Sequence, residues 1–338
     1  MKKKIFPLIF TAMVSLTACG GKTYSYKEHL SDYVIELPYK TGFNILQLTD
    51  IHISDKDDQD RVYDYIDTLV EDARNKYGVD LIVVTGDLFT FASRWTAQKF
   101  FDHLNSYGAY WTVVFGNHDE QTYFPVDWMT SYLTNYGKNC VFKDILQDDV
   151  EGNCNFVIHL MKDDKVQEQL IFMDSNRYHF GTDYSGYDYF KDKQISWYSD
   201  IVDYTKDING SAEPAKSLMF YHIPLPEVND AYEYGNDNEK IIYGEKREKS
   251  CPPDKDLGFF KVIDEKNATN GMFFGHDHVN NFEVVYNDVL FCYGLKSTDR
   301  LYHDDDMVGY KLISLNDDGS FEMKRTRISF DGKERHYE

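Results

Sequence analysis

Five short blocks of the sequence are built from histidine, aspartate, asparagine and glycine, and each follows a run of apolar residues. Imidazole, carboxylate and amide-oxygen donors without thiolate suit Mn, Fe, Zn or Mg ions. Taken singly, each block is more often a chance combination or a buried structural histidine than a ligand set. Five blocks in one chain, each at the end of an apolar run, predict a metal centre. The blocks are Asp50-Ile51-His52, Gly86-Asp87, Gly116-Asn117-His118-Asp119, His222-Ile223-Pro224 and Gly275-His276-Asp277-His278.

The apolar runs before these blocks are short and rich in β-branched and aromatic residues, which is typical of buried strands. They cover residues 43–48, 81–85, 111–115, 218–221 and 271–274, and further runs cover 156–160 and 170–173. In open α/β sheets, ligands bind beyond the carboxyl ends of the strands. We therefore expect the five blocks to meet at one point, with Gly86, Gly116 and Gly275 permitting tight turns there.

Helical spacing lies between the early runs. In 62–77, for example, Val62, Ile66, Leu69 and Ala73 fall on one helix face. The first three runs therefore predict βαβ units, whereas 282–328 predicts antiparallel strands without helices. The predicted fold class is α/β, with two mixed β-sheets packed face to face and flanking helices, in one domain over 31–338.

In this order, the blocks resemble the pattern of the calcineurin-like metallophosphoesterase superfamily, and the resemblance covers roughly 43–293. The stretches 222–227 and 275–280 are similar to the branch that contains the purple-acid-phosphatase-related enzymes. Purple enzymes have a tyrosine ligand three residues after the aspartate of the Gly-Asp block, where this chain has Thr90. A purple iron site is therefore not expected.

The resemblance implies a binuclear centre of two divalent or trivalent ions (Mn, Fe, Zn or Mg), with a hydroxide between them that attacks phosphorus. It implies His118 as the catalytic acid at the leaving oxygen. Asp119 would either orient His118 or cap a helix. The implied ligands are Asp50, His52 and His278 for one metal, Asn117, His222 and His276 for the other, and Asp87 as the bridge.

Contacts to the rest of the substrate stay unassigned. Arg94, Arg177, Lys296 and Arg300 are each either a phosphate-binding group or a solvated surface charge. The tyrosines between 178 and 204 either stack on a base or sugar or serve packing.

The overall charge is acidic: 57 Asp and Glu face 36 Lys and Arg, a formal net charge of −21 in 338 residues. Such a surface disfavours long nucleic acids, whose binding depends on basic groups. Hydrophobic residues make up 42% of the chain, which excludes disorder as the main state. A small phosphate ester that reaches a local cationic centre remains compatible with this charge.

The first residues have the composition of a secretory signal. Lys2, Lys3 and Lys4 precede an apolar stretch over 5–18, which is too short for a membrane span. The run Leu16-Thr17-Ala18-Cys19 resembles the lipobox of bacterial lipoproteins. We predict a signal peptide over 1–18, lipidation of Cys19 and a tether over 19–30. The protein would be exported and anchored to a bacterial membrane at its periplasmic face or at the cell surface; an ordinary cleaved signal is the alternative.

Outside the cytoplasm, disulfides persist. Cys140 and Cys154 flank a turn-like stretch, and they either form a bridge or remain separate thiols, as Cys251 and Cys292 would.

Taken together, the sequence predicts a metal-dependent phosphoesterase for small phosphate esters, with monoesters favoured. The alternatives are a phosphodiesterase or nucleotide pyrophosphatase on the same centre, a phosphoprotein phosphatase, and a surface-binding lipoprotein without catalysis.

Overall fold

The computed structural model describes residues 25–145, 149–182 and 184–328. The strands in this part of the chain are β1 Val34–Pro38, β2 Asn44–Leu48, β3 Leu81–Thr85, β4 Tyr110–Val114, β5 Phe156–Lys162, β6 Lys165–Phe172, β7 Tyr178–Phe180, β8 Ser185–Tyr187, β9 Ser217–Phe220, β10 Ile241–Tyr243, β11 Thr269–Phe274, β12 Glu283–Tyr286, β13 Val289–Tyr293, β14 Gly309–Leu315 and β15 Phe321–Arg327. The α-helices are α1 Gln59–Tyr77, α2 Arg94–Ser106, α3 Val126–Thr134, α4 Asp192–Asn209, α5 Glu227–Asp237 and α6 Phe259–Lys266. Short 3₁₀ turns lie at Tyr26–Glu28, Leu30–Tyr33, Asp119–Gln121 and Asp305–Met307.

The strands form two large sheets and one small hairpin. The eight-stranded sheet has the order β1-β5-β6-β9-β11-β13-β12-β10, and the five-stranded sheet has the order β15-β14-β2-β3-β4. Parallel pairs such as β2 with β3 and β9 with β11 stand beside antiparallel pairs such as β14 with β2 and β12 with β13. Both sheets are therefore mixed, as predicted.

The two sheets pack face to face. In β6, Leu170 and Phe172 belong to the same core cluster as Ile45 of β2, whereas Ile171 belongs to a second cluster with Trp197 of α4. Successive residues of a strand point to opposite faces of the sheet. One face of the eight-stranded sheet therefore covers the five-stranded sheet, and its other face is covered by α4, α5 and α6.

A buried group of charges joins the two sheets. Lys311 of β14 lies 2.8 Å from the carboxylate of Glu283 on β12, and both side chains are fully buried. Arg325 of β15 donates to the same carboxylate. Although burial raises it, the pKa of Glu283 is lowered overall by Lys311 and Arg325, so the carboxylate stays charged.

The elements predicted from the sequence are confirmed. Each apolar run coincides with a strand, and the segment 62–77 lies within α1. Asp58 caps the start of α1, because its side chain accepts a hydrogen bond from the backbone N–H of Arg61. The segment 282–328 contains β12 to β15 and a single 3₁₀ turn. The hairpin β7–β8 was not predicted, because its strands have only three residues each.

The predicted signal peptide (1–18) and the lipidation site Cys19 lie outside the described residues. Part of the predicted tether is packed: Tyr26 is fully buried and its hydroxyl donates to Asp200 on α4. In the part of the chain that the structure describes, no helix is long and apolar enough to cross a membrane.

The cysteines of the described chain are free thiols. Cys154 is buried, and the half-buried Cys140 contacts the backbone carbonyl of Leu133. Of the two alternatives for Cys140 and Cys154, the structure therefore has the separate thiols.

Candidate metal centre

The five blocks meet at one edge of the two sheets, where β2, β3, β4, β9 and β11 end. The loops after β2 and β3 run side by side, because Asp50 donates its backbone N–H to the carbonyl of Gly86 (3.1 Å) and His52 donates to that of Asp87 (2.9 Å). The loop after β11 joins the one after β9 through a bond from Gly275 to the carbonyl of His222 (3.1 Å).

Four predicted ligands form a tight buried cluster. Asp50, His52, Asp87 and His278 each offer one ligand atom, and these atoms all lie within 4.8 Å of one another. The Nε2 atoms of His52 and His278 are 3.0 Å apart. An arrangement of two imidazoles and two carboxylates around one point matches the donor set of a transition-metal site.

The backbone of this cluster is unusual. Asp50, His52, Asp87 and His276 have positive φ angles of 55°, 54°, 52° and 81°. Residues other than glycine rarely adopt this region, and such outliers concentrate at functional sites. All four residues lie in the loops that follow β2, β3 and β11, where the ligand blocks meet.

Three glycines leave space for the ligands. A Cβ atom on Gly116 would lie 2.2 Å from Oδ1 of Asp87, and one on Gly275 would lie 2.5 Å from Oδ2 of Asp50. Gly86 combines a φ of +89° with a Cβ position only 2.4 Å from the ring of His222. The sequence predicted turns at these glycines; the structure adds that the ligand side chains occupy the space a Cβ would need.

The outer nitrogens of the histidines are held by neighbouring groups. His222 donates Nδ1–H to the carbonyl of Thr85 (2.8 Å), and His278 donates Nδ1–H to the carbonyl of Tyr302 (2.8 Å). Nδ1 of His52 lies 3.0 Å from the hydroxyl of Thr90. In metal sites, such partners fix the ring so that Nε2 faces the ion. Thr90, which replaces the tyrosine ligand of purple enzymes, therefore contacts the far side of His52.

The second predicted set of ligands lies next to the first. Oδ1 of Asn117 and Nε2 of His276 are buried and have no hydrogen-bond partner among the described residues, whereas the buried Nε2 of His222 contacts the carboxylate of Asp87. Buried polar atoms are normally paired. Oδ2 of Asp87 lies 3.2 Å from Nε2 of His222 and 3.5 Å from Nε2 of His52. Asp87 thus stands between the two sets, at the position predicted for the bridging ligand, and the residues present fit a metal centre.

Protonation states agree with this donor set. Burial raises the pKa of Asp87, but His222 and His52 bring it well below its usual range. Burial and then the neighbouring His222 lower the pKa of His276 to about 3, and burial with Lys296 lowers that of His52. Ionised carboxylates and neutral imidazoles are the forms that bind cations.

The proton of His222 is the exception within the cluster. Burial alone would lower its pKa, yet the charge of Asp87 raises the pKa to about 10. A positive charge is therefore stabilised between His222 and Asp87, which is where a cation would replace that proton.

His118 borders the centre and lines a cavity of about 340 Å³ above it. Its backbone N–H donates to Oδ1 of Asp87 (2.8 Å), and its ring meets that of His52 edge-on with centroids 5.0 Å apart. Nδ1 of His118 lies 2.9 Å from Oε1 of Gln121. Because an amide oxygen accepts, Nδ1 donates, and Nε2 is the nitrogen available to a ligand.

Asp119 has neither of the roles considered from the sequence. Its carboxylate accepts from the backbone N–H of Gly116 (2.8 Å) and of Phe89 (3.0 Å). It therefore ties the loop after β4 to the loop after β3. His118, rather than Asp119, stands at the start of the 3₁₀ turn Asp119–Gln121.

The four basic residues considered for substrate binding are all engaged elsewhere. Arg94 lies over the ring of Trp128, and Arg177 and Arg300 form ion pairs with Glu120 and Asp57.

Lys296 is buried, and its Nζ donates to the backbone carbonyl of Asp50 (2.7 Å). The surface-charge interpretation of Lys296 is therefore wrong. Its ammonium instead supports the strained loop that carries a predicted ligand.

Four residues that line the cavity were not predicted as site residues from the sequence: Tyr187, Cys251, Leu301 and Tyr302. The ring of Tyr302 stacks on His278 with centroids 4.2 Å apart, and the ring of Tyr187 meets His276 edge-on at 4.5 Å. Tyr187 lies in the tyrosine-rich stretch noted from the sequence, which was a weak signal. Tyr302 acts on His278 through its backbone carbonyl, for which a sequence carries no signal.

Comparisons with known proteins show a family and relatives of this chain. A family model described as calcineurin-like phosphoesterase matches residues 43–280. The chain is 28% identical over 239 residues to probable inactive purple acid phosphatase 29 of Arabidopsis thaliana, a match covering 64% of this chain and 58% of that protein. It is 27% identical over 196 residues to phosphatase DCR2 of Saccharomyces cerevisiae, covering 54% of this chain and 33% of that protein. The chain thus spans only part of the length of these relatives.

The fold is also similar to a solved structure. The crystal structure of a dimetal phosphatase from Danio rerio superposes with a TM-score of 0.58 at 13% identity. The match covers 86% of this chain and 98% of that one. At this identity the likeness concerns the fold, and it agrees with the α/β class predicted from the sequence.

Proposed function

The chain belongs to the calcineurin-like phosphoesterase family, since the matched family model spans well over half of its residues, and we propose that the protein is a metal-dependent hydrolase of small phosphate esters. The observation that carries this proposal is the position of Asp87 between two sets of buried donor atoms. In one set, His52 and His278 face each other at 3.0 Å. In the other, Nε2 of His276 and Oδ1 of Asn117 have no hydrogen-bond partner among the described residues, and Nε2 of His222 lies 3.2 Å from Asp87.

In this proposal, one cation would be held by Asp50, His52 and His278 and a second by Asn117, His222 and His276, with Asp87 available to either. When bound, such a pair of cations polarises a phosphate oxygen and lowers the pKa of a water molecule. Mn, Fe, Zn and Mg all suit oxygen and imidazole donors.

The chain's own residues position the ligands and would protonate the leaving oxygen. The hydrogen bond from the backbone of His118 fixes one oxygen of Asp87, leaving the other directed between the two sets of ligands. The ring of His118 faces the cavity, where it would give a proton to the leaving oxygen while Gln121 holds its Nδ1. The bonds of Asp119 hold the turn that carries His118.

Charge favours monoesters over diesters. Two divalent cations exceed the charge of Asp50 and Asp87, so the centre stays positive, and a dianionic monoester balances this charge better than a monoanionic diester. Arg94, Arg177 and Arg300 are engaged elsewhere, and the ammonium of Lys296 is buried against the carbonyl of Asp50, which leaves the cations as the main positive charge that a phosphoryl group would meet. A phosphodiesterase or pyrophosphatase on the same centre is the second candidate.

The test is a parallel assay of p-nitrophenyl phosphate and bis-p-nitrophenyl phosphate, after chelation and reloading with Mn, Zn, Fe or Mg. We expect faster hydrolysis of the monoester and about two metal ions per chain by elemental analysis. A dominant diester rate would favour the second candidate.

The names of some relatives contain the word inactive, so a non-catalytic binding protein is a third candidate. This third candidate would be supported if the protein took up none of the four metals and hydrolysed neither ester in their presence.

We also propose that the protein is exported and anchored to a membrane through Cys19. The support is the basic start, the apolar stretch 5–18 and the run Leu16-Thr17-Ala18-Cys19. Expression with labelled palmitate should label the wild-type protein and leave Cys19→Ser unlabelled. An exported wild-type protein without label would show an ordinary cleaved signal instead.

A further inference from the structure

A second cavity opens beside the metal centre. It has a volume of about 430 Å³, against about 340 Å³ for the cavity above the ligands, and the two share Tyr187 and Cys251. Each volume is in the range of small-molecule pockets, roughly 300 to 1,000 Å³. The shared walls place the second cavity next to the point where a phosphate ester would react.

Tyr187 stands at the passage between the two cavities. Its ring meets the ring of His276 edge-on, with centroids 4.5 Å apart and planes at 89°. A substrate with its phosphoryl group at the ligands would therefore extend past Tyr187 into the second cavity. The position of Tyr187 makes the two cavities parts of one binding site.

The hairpin β7–β8 forms one wall of the second cavity. Tyr178 pairs with Tyr187 across the hairpin, and their rings meet edge-on with centroids 5.9 Å apart. The hydroxyl of Tyr184 donates to the carbonyl of Tyr187 and accepts from the backbone N–H of Asp254 (3.3 Å). This bridge holds the hairpin against the segment 249–254, which forms the opposite wall.

The lining suits a flat ring that carries hydrogen-bond acceptors. Tyr178 and Tyr187 offer aromatic surface, and the prolines at 226, 252 and 253 offer flat apolar surface. Donors lie at the edge: Oδ1 of Asn229 accepts from Lys246 (3.0 Å), which leaves the amide N–H groups of Asn229 as donors. Lys249 lines the same cavity, and its ammonium forms no ion pair within the described residues.

We propose that this second cavity binds the alcohol part of the substrate and that the preferred class is a nucleoside monophosphate. A nucleoside supplies a planar base for the tyrosines and acceptor atoms for Asn229 and Lys249. This inference rests on the proposed phosphomonoesterase function and specifies its substrate class. A plain aryl phosphate shares the ring but lacks the acceptors, and glycerol phosphate lacks both.

The experiment compares adenosine 5′-monophosphate, phenyl phosphate and glycerol 2-phosphate with the metal-loaded protein. We expect kcat/KM to fall in that order for the wild type. Tyr178→Ala should lower the ratio of kcat/KM for the nucleotide to kcat/KM for the glycerol phosphate about tenfold, as expected for loss of one stacking partner. Tyr178→Phe keeps the ring and should restore the wild-type ratio. Lys249→Gln should lower kcat/KM for the nucleotide relative to kcat/KM for phenyl phosphate.

Tyr77→Ala is the matched control, because Tyr77 is an exposed tyrosine at the end of α1 that lines neither cavity. Its ratio should equal that of the wild type. Calorimetric binding of adenosine gives a readout that does not depend on catalysis, and Tyr178→Ala should weaken it by a similar factor.

The outcomes separate this inference from the function on which it rests. A wild type that hydrolyses none of the esters with any metal refutes the phosphoesterase proposal, and adenosine binding then still tests the cavity. A wild type that hydrolyses esters, with the same nucleotide preference in Tyr178→Ala, refutes the nucleoside subsite. Adenosine binding that Tyr178→Ala leaves unchanged refutes it as well.

Discussion

Replacement of His118 by alanine separates catalysis from metal binding. The variant keeps its backbone N–H, so the 2.8 Å bond to Oδ1 of Asp87 remains. It loses the edge-on contact with the ring of His52, but Thr90 still holds Nδ1 of that ring at 3.0 Å. We therefore expect the metal content to stay at the wild-type value.

The expected loss of turnover follows from proton transfer. General acid catalysis contributes roughly 10²- to 10⁴-fold, so kcat for an alkyl phosphate should fall by that factor, equivalent to about 3 to 5 kcal/mol. An alkoxide is a poor leaving group and needs the proton, whereas p-nitrophenolate leaves more easily. The loss for p-nitrophenyl phosphate should therefore be much smaller.

The assay is steady-state kinetics on both esters, together with elemental analysis of each protein. His29→Ala is the control, because His29 lies in the 3₁₀ region before β1 with a half-exposed side chain. An equal loss on both esters would refute the role of His118 as an acid. A loss of metal in His118→Ala would show that the residue supports the ligands instead.

Three further predictions concern the surroundings of the site and the core. Thr90→Val removes the partner of His52 Nδ1 and should weaken metal affinity about 10- to 100-fold in chelator competition; wild-type affinity would contradict this. Lys311→Met removes one partner of the buried Glu283 and should lower the free energy of unfolding by about 3 kcal/mol, whereas an unchanged urea midpoint would contradict the stabilising role. Burial raises the pKa of Glu168 from 4.5 to about 8, so the folded chain keeps a proton that the unfolded chain releases, and stability falls as pH rises between these values. Glu168→Gln should remove up to about 1.4 kcal/mol per pH unit of that decline, and equal slopes in urea unfolding at several pH values would refute it.

The sequence was sufficient to predict the strands and their meeting point. Each ligand block interrupts an apolar run abruptly, as at Leu48 and Asp50, and such a boundary depends on local composition alone. Parallel neighbours such as β2 and β3 then bring their carboxyl ends to one edge by geometry. Order along the chain and strand type together therefore predicted that these residues come together, which the structure shows for the candidate site.

Other features depend on contacts between distant parts of the chain. Lys296 was considered as a phosphate ligand or a surface charge, but it is buried against the carbonyl of Asp50. Asp119 bonds the backbone of Gly116 and of Phe89, and thus holds the turn of His118 rather than its ring. A lysine or aspartate in a sequence carries no sign of which backbone group it will meet, so only the structure could reveal these roles.

The strained backbone of the predicted ligands also bears on function. Asp50, His52, Asp87 and His276 all have positive φ angles, at a cost of order 1 to 3 kcal/mol each. Packing of an apolar core does not require this conformation, because strands that end in ordinary backbone would bury the same surface. Lys296 donates to the carbonyl of Asp50, and the backbone N–H of His118 donates to Asp87. These hydrogen bonds stabilise the strained conformation. A cation that binds the folded chain alone would recover that free energy on binding. Other described residues, such as Phe91 and Leu301, also have positive φ angles, so a metal site is indicated by the convergence of four such residues on one point, and not by the conformation alone.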